Sequence, residues 1–340
     1  MSKPIASLSL DLDNLWTYLK TNGDPAWQTF PGYLDTVVPR ILSVLDRHGL
    51  KITFFIVGQD AALPENAKAL RSIADAGHEI ANHSFHHEPW IASKDVTAID
   101  AELAAAEDAI LSATGARTTG FRGPSFALSA DLIDVLSARG YRYDASTFPT
   151  FLGPLARAYY FAKSSVDREG REQRKAMFGS LADGLRPIKP FAWATAGGRL
   201  TEIPVSTIPA VRAPFHLTYV MFLATRSPAL ANAYFTNALR ASHIAGVSPS
   251  ILLHPTEFVG AEDTSAMSFF PGMGLPRDVK LGVVDTALQS LKQRFDVVTM
   301  GTHAAAAEQS NLKIKTYPRD SRSAAKPDSE TLNAKSAAHP

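Results

Sequence analysis

The sequence contains no cysteine among its 340 residues. This absence excludes disulfides, iron–sulfur clusters, thiolate metal sites and cysteine nucleophiles, so any metal must be held by His, Asp, Glu or carbonyl oxygen. Neither sign of charge is in excess, because 34 Lys and Arg balance 33 Asp and Glu. A net charge of +1 offers no basic surface for nucleic acid, and we therefore expect no nucleic-acid partner.

Long hydrophobic runs are also missing. The longest apolar stretch, residues 215–224, is interrupted by His216 and Thr218 and is far shorter than the ~20 residues of a transmembrane helix. The N-terminal residues do not show the pattern of a secretory signal peptide. These features predict a cytoplasmic protein, with peripheral membrane contact left open. They do not indicate an oligomeric state.

Strand-like and helix-like segments alternate along most of the chain, with a loop predicted at 14–32. The predicted strands are 6–12, 51–57, 79–82, 119–121, 141–144, 200–205, 250–253 and 295–300. The predicted helices are 33–48, 64–76, 95–114, 129–139, 227–244 and 276–294. Repeated βα units favour an α/β fold, with a parallel sheet or barrel inside and helices outside.

Two segments depart from this alternation. Residues 150–198 are rich in aromatic and basic residues, and between 151 and 190 eight Lys and Arg face four Asp and Glu. We interpret them as an insertion, either a lid for an anionic substrate or a helical excursion packed on the barrel. Residues 304–340 are rich in Ala, Ser, Lys and Pro and are predicted to be a disordered tail.

Polar residues that could carry chemistry follow several predicted strands. Asp11 and Asp13 are two residues apart at the end of the first strand, so both carboxylates point to one face. They are either loop caps or the acidic part of a cation site. His83 and His87 could share a face if their segment turns helically, although the spacing leaves His86 available too. Together with Asp13 they form a two-histidine, one-carboxylate set that suits Zn²⁺ or non-haem Fe²⁺.

Three more residues end predicted strands: Arg122, Asp144 and His254. Arg122 could clamp a carboxylate such as Asp11. Each of the three has an ordinary structural interpretation when taken alone. Their common position at carboxyl ends of strands is instead typical of the active-site rim of α/β barrels.

The ordered motifs resemble those of the polysaccharide deacetylases, carbohydrate esterase family 4, which share the NodB-homology domain. The motifs that carry this resemblance, spread over about residues 5–302, are SLDLDN, ITFFIVG, GHEIANHSFHH, FRGPSF, YRYDAS and ILLHP. The resemblance implies a distorted (β/α) barrel of seven parallel strands with outer helices. It also implies hydrolysis that depends on a divalent metal, with Zn²⁺ expected and Fe²⁺, Co²⁺, Ni²⁺ or Mn²⁺ as alternatives.

The resemblance also suggests a role for each site residue. Asp11 would be the base for a metal-activated water and His254 the acid, while Arg122 would hold Asp11 and Asp144 would tune His254. Asp13, His83 and His87 would bind the metal. A backbone N–H of Ser125 or Phe126 is our candidate for stabilising the oxyanion. The expected substrate is an N-acetylated or N-formylated amino sugar, as a carbohydrate or a lipid-linked sugar.

One departure from the family pattern widens the choice of function. The commonest first motif has adjacent aspartates, whereas Leu12 separates Asp11 and Asp13 here. This version is also found in some cyclic-amide hydrolases, so an allantoinase-like hydrolase of a cyclic amide or ureide is the nearest alternative. An Fe²⁺ oxygenase and a catalytically inactive binding module are more distant ones.

Overall fold

A computed structural model describes residues 3–153 and 181–319. The strands are β1 Ile5–Asp11, β2 Thr53–Ile56, β3 Glu79–Asn82, β4 Gly120–Phe121, β5 Tyr143–Asp144, β6 Phe191–Thr195, β7 Gly198–Glu202, β8 Ser250–Leu253, β9 Asp296–Val298 and β10 Ile314–Lys315. Seven of them run parallel in the order β8-β1-β2-β3-β4-β5-β7, and β9 pairs with the first half of β1. β6 pairs antiparallel with β7, and β10 pairs parallel with β6.

The sheet curves into a barrel that is not closed by strand pairing. Between β7 and β8, the outermost strands of the seven-stranded parallel set, a contact comes from the segment after β7, where the Ser206 N–H donates to the Ser250 carbonyl at 3.1 Å. The Ser250 N–H in turn donates to the Ser206 hydroxyl at 2.7 Å. The expected distorted α/β barrel with seven parallel strands is therefore confirmed.

Helices cover the outside of the sheet. They are α1 Leu15–Asn22, α2 Leu34–Arg47, α3 Gly58–Ala62, α4 Ala67–Asp75, α5 Val96–Thr114, α6 Ala130–Ala138, α7 Leu217–Ala224, α8 Pro228–Ile244, α9 Arg277–Arg294 and α10 Met300–Glu308. Short 3₁₀ turns occupy Pro25–Thr29, Pro64–Asn66, Ile91–Ser93, Pro124–Phe126, Leu181–Leu185 and Pro255–Glu257. None of the helices in the described ranges is long and apolar enough to cross a membrane.

The alternation of β1 separates an apolar outer layer from a polar barrel interior. Its even-numbered residues Leu8 and Leu10 are fully buried in the main hydrophobic core, against the helices. Its odd-numbered residues Ser9 and Asp11 face inward, where both contact Arg122. Because strand side chains alternate, one strand packs the core with one face and presents polar groups to the barrel with the other.

Three sequence predictions are corrected at the level of elements. The predicted loop at 14–32 holds helix α1, because Asn14 accepts a hydrogen bond as N-cap and Gly23 ends the helix at a φ of 81°. The predicted insertion ends too late, since β6 lies within it and joins the sheet. The eight aromatic and basic residues on which the lid interpretation depends lie outside the described residues. They are Tyr159, Tyr160, Phe161, Lys163, Arg168, Arg171, Arg174 and Lys175.

The predicted disordered tail also begins too early. Helix α10 extends to Glu308, and β10 adds to the sheet beside β6. Ala304 and His303 of this helix are buried under the barrel, where Ser7 Oγ lies 2.8 Å from His303 Nδ1. This contact pairs residues almost 300 positions apart, so local composition could not reveal it. Residues 320–340 lie outside the described part of the chain.

Candidate active site

Asp13, His83 and His87 converge at the carboxyl ends of the strands. Asp13 follows β1, His83 follows β3, and His87 lies in the loop after His83. Asp13 Oδ1 is 3.0 Å from His87 Nε2 and 3.5 Å from His83 Nε2. One ligand atom from each residue lies within 4.8 Å of the others, and all three residues are buried. This group could hold a metal ion.

The unpartnered atoms of this group fit a cation. Asp13 Oδ1 and both ring nitrogens of His87 are buried without a hydrogen-bond partner, which is costly unless a ligand satisfies them. His83 Nδ1 is 2.6 Å from the Arg122 carbonyl and donates to it, so Nε2 is free to face Asp13. Burial opposes ionisation of Asp13, yet the nearby imidazoles of His87 and His83 hold its pKa well below its usual range.

The histidine segment is a strained loop rather than the helical turn that the spacing suggested. Ser84 and His87 have φ angles of 63° and 51°, in a region that non-glycine residues rarely adopt. Buried Glu102 of α5 holds the loop by accepting the N–H groups of Phe85 and His86 at 3.1 and 2.7 Å. The His86 side chain points away to Glu102 and is 53% exposed, so the structure selects His87 over His86.

Asp11 lies between the Asp13–His83–His87 group and His254. Arg122 Nη1 donates to Asp11 Oδ1 at 2.6 Å and to Ser9 Oγ at 3.0 Å. The other carboxylate oxygen, Oδ2, lies 3.9 Å from His83 Nε2 and 4.0 Å from His254 Nε2. The structure thus brings Asp11, Arg122 and His254 together with the three candidate ligands.

Asp144 does not take the place expected for it beside His254. It accepts the Ser146 hydroxyl at 2.6 Å and the Ser146 N–H at 3.1 Å, and its strand neighbour in β7 is Glu202. Burial raises the pKa of both carboxyls, and Asp144 raises that of Glu202 further. Among the described residues, the contacts of Asp144 are with Ser146 and Glu202, and none of them joins it to His254.

The turn after β4 bears on the oxyanion prediction. Ser125 and Phe126 have φ angles of 51° and 64°, and Gly123 is required there because an added Cβ would lie 2.1 Å from the Ala127 carbonyl oxygen. The Phe126 N–H donates to the Gly123 carbonyl at 2.9 Å, so it is not available to an oxyanion. Ser125 N–H is the remaining candidate of the pair.

Sequence reasoning missed two residues that contact His254. Thr218 Oγ1 lies 3.0 Å from His254 Nδ1, and fully buried Glu257 accepts the backbone N–H of His254. The sequence does carry a signal for Glu257, because a carboxylate three residues after the end of a strand has the spacing of a capping box. It carries none for Thr218, because this residue comes from a helix 36 residues earlier in the chain.

Fold and site geometry define an α/β barrel protein with a buried two-histidine, one-carboxylate group at its carboxyl rim. Residues 19–143 match the family model described as "Polysaccharide deacetylase", so this part of the chain is similar to that family. The matched region includes His83, His87 and Arg122. Asp11, Asp13 and His254 lie outside it, so the structure rather than the match brings them to the histidines.

Three curated relatives match this chain over about a third of their own length. Peptidoglycan deacetylase-like protein FGM2 of Gibberella zeae is 36% identical over 36% of this chain and 35% of its own. Peptidoglycan-N-acetylmuramic acid deacetylase PdaA of Bacillus subtilis is 33% identical over 25% and 31%. The peptidoglycan deacetylase of Helicobacter pylori is 30% identical over 32% and 36%.

A solved structure shares the fold of this chain. A provisionally assigned polysaccharide deacetylase from Mycobacterium smegmatis superposes with a TM-score of 0.62 at 21% identity. The superposition covers 94% of this chain and 96% of that one. At this identity the likeness concerns the architecture alone.

Proposed function

We propose that this protein is a metal-dependent hydrolase that removes an N-acetyl or N-formyl group from an amino sugar of a glycan or glycan precursor. The observation that carries the proposal is the buried Asp13–His83–His87 group with Asp11 between it and His254. The names of the matched relatives describe deacetylases, which favours deacylation over the cyclic-amide alternative.

A metal ion at this site would act as a Lewis acid on the acyl carbonyl. A divalent cation held by Asp13, His83 and His87, with Zn²⁺ our first candidate, provides Lewis acidity for the carbonyl and for water. Buried imidazole and carboxylate ligands also suit Fe²⁺, Co²⁺, Ni²⁺ and Mn²⁺.

The protein's own residues would handle the protons. Arg122 holds one oxygen of Asp11, so the other, Oδ2, is oriented to accept a proton from the attacking water. His254 Nε2, 4.0 Å from that oxygen, would then donate a proton to the leaving nitrogen. This donation is required because an amine anion is too poor a leaving group to depart unaided. The Ser125 N–H would stabilise the oxyanion.

The test compares neighbouring histidines. His87→Ala and Asp13→Ala should each lose bound metal and acyl release together, because each removes one of three ligands. His86→Ala is the matched control, since its exposed ring lies outside the group. The measurements are metal analysis of the purified protein and release of acetate or formate from a panel of N-acylated amino sugars.

Two results would contradict the proposal. One is full metal content in His87→Ala, which would remove His87 from the site. The other is hydrolysis of a cyclic amide or ureide by wild-type protein that releases no acyl group from any sugar in the panel, which would establish the alternative hydrolase.

A further inference from the structure

The turn after β8 carries a carboxylate that the proposed mechanism does not use. Glu257 ends the 3₁₀ turn that begins directly after His254, and its side chain is fully buried. Its Oε2 accepts the backbone N–H of His254. Its Oε1 accepts the hydroxyl of Thr218, a residue in the first turn of α7, at 2.8 Å. A buried carboxylate is thus fixed at two points beside the histidine.

The direction of the hydrogen bonds follows from the groups themselves. An ionised carboxylate only accepts, so the single proton of the Thr218 hydroxyl points to Glu257. The hydroxyl oxygen then has lone pairs left for His254 Nδ1, 3.0 Å away. Nδ1 therefore keeps its proton and donates it to Thr218, which leaves Nε2 as the nitrogen that faces Asp11.

A buried lysine holds this turn in place. Lys280 of α9 is 1% exposed, and its Nζ donates to the carbonyls of Thr256 and Val259 at 2.9 and 2.8 Å. These carbonyls flank Glu257 in sequence. Burial raises the pKa of the Glu257 carboxyl, while the charge of His254, hydrogen bonds from His254 and Thr218, and the Lys280 charge act against that rise.

We propose that Glu257 and Thr218 are the positioning residues of His254, in the role that the resemblance assigned to Asp144. Thr218 sets the imidazole tautomer, and Glu257 stabilises the imidazolium that forms when Nε2 carries a proton, since its Oε1 is 3.9 Å from Nδ1. The predicted effect on turnover rests on the proposed deacylase function, whereas the predicted direction of the hydrogen bonds does not.

The other charged or titratable groups near His254 are few in the described part of the chain. Asp11 of β1, held by Arg122, faces Nε2, and the ring of His216 at the start of α7 lies 5.9 Å from that of His254. Burial lowers the pKa of His216 well below its usual value, and the nearby His254 and Arg122 lower it further. Glu257 is therefore the carboxylate on the Nδ1 side.

The first experiment reads the tautomer without catalysis. Side-chain ¹⁵N NMR of His254 in the metal-free full-length protein should show the Nδ1–H form in wild type. Thr218→Val, which keeps the shape and removes the hydroxyl, should shift His254 towards the Nε2–H form. Thr225→Val, at the other end of the same helix, is the matched control and should resemble wild type. Identical spectra for all three proteins would overturn the role of Thr218.

The second experiment reads turnover. Glu257→Gln and Thr218→Val should lower kcat roughly 10- to 100-fold with little change in KM, and should move the basic limb of the pH profile to lower pH. Asp144→Asn should leave that limb in place. A limb that moves only in Asp144→Asn would return the role to Asp144. A complete lack of deacylase activity in the wild-type protein would refute the proposed function. The NMR result would still decide the direction of the hydrogen bond between His254 and Thr218.

Discussion

Asp11 shows how one residue is prepared for proton transfer. Its Oδ1 is held by the fully buried Arg122, whose guanidinium also stacks 4.2 Å from the Phe55 ring centroid and donates to the Ala145 carbonyl. Oδ2 faces the histidines. A carboxylate fixed through one oxygen presents the other in a single direction, which is the geometry that a general base needs.

Asp11→Asn should keep the metal and lose turnover. The amide oxygen can still accept from Arg122, but the side chain can no longer take a proton, so kcat should fall about 10²- to 10⁴-fold. Metal analysis and acyl release measure the two effects separately. Ser9→Ala, which removes the other side-chain contact of Arg122 Nη1 on the same strand face, should cost about 1 kcal/mol of stability and leave turnover close to wild type. Full activity in Asp11→Asn would remove Asp11 as the base.

At the scale of elements, helix α5 shapes the loop that carries the histidines. Glu102 lies on its buried face and accepts two consecutive backbone N–H groups from that loop. Ser84 Oγ adds a third contact by accepting the His87 N–H at 3.1 Å. The positive φ angles at Ser84 and His87 are unfavourable by themselves, so these hydrogen bonds are needed to keep the loop in its conformation.

Glu102→Ala should weaken both the fold and the metal site. It leaves two N–H groups of the loop without their acceptor, which should cost about 1–3 kcal/mol in urea unfolding. Metal affinity, measured by competition with a chelator, should fall roughly 10- to 100-fold, because supporting contacts orient the ligands. Glu107→Ala, on the same helix but paired with Arg139 at the surface, should cost at most about 1 kcal/mol and leave metal affinity unchanged. Wild-type affinity in Glu102→Ala would mean that the strand ends alone set the loop.

At the scale of the whole molecule, the sheet brings distant segments onto one buried network. Asp60 of α3 accepts from Asn14 Nδ2 and Trp16 Nε1 at 2.7 and 3.0 Å, which ties the chain after β1 to the chain after β2. Burial raises the pKa of Asp60 to about 7, helped by the charge of Asp13 and opposed by hydrogen bonds from Asn14, Trp16 and Asn66. Its second oxygen, Oδ2, is buried without a hydrogen-bond partner.

This shift makes global stability depend on pH. Because the folded pKa of about 7 exceeds the ordinary aspartate pKa of 3.8, the folded state binds more protons between these values. Protonated Asp60 therefore makes its full contribution to the free energy of unfolding below about pH 4. This contribution is lost as the pH rises through about 7, and the loss amounts to at most about 4 kcal/mol. Urea unfolding at pH 5 to 8 should show a shallower slope in Asp60→Asn, which cannot ionise. Asp278→Asn, 89% exposed, should keep the wild-type slope. An unchanged slope in Asp60→Asn would show that Asp60 is ionised in the folded protein.

Some predictions about the whole molecule remain predictions. They are a cytoplasmic location, contact with a membrane surface, a lipid-linked substrate and the role of residues 154–180. The absence of a nucleic-acid partner likewise rests on the balanced charge of the sequence.

The sequence by itself determined which side chains reach the carboxyl rim. Strand side chains alternate, and parallel strands end at a common edge, so the positions of Asp11, Asp13, His83 and Arg122 after buried strands already placed them near one another. The buried strand β2 and the amphipathic helix α2 were predictable for the same reason, since both follow from the local periodicity of apolar residues.

Only the tertiary structure decided which neighbours these side chains meet. It selected His87 over His86 through Glu102, placed Glu257 and Thr218 beside His254 where Asp144 was expected, and folded the segment after His303 onto the barrel. Each outcome depends on a hydrogen bond or a packing contact, in most cases between elements far apart in the chain. Local patterns report on periodicity and strand ends, whereas partners of this kind are chosen by the packing of the complete barrel.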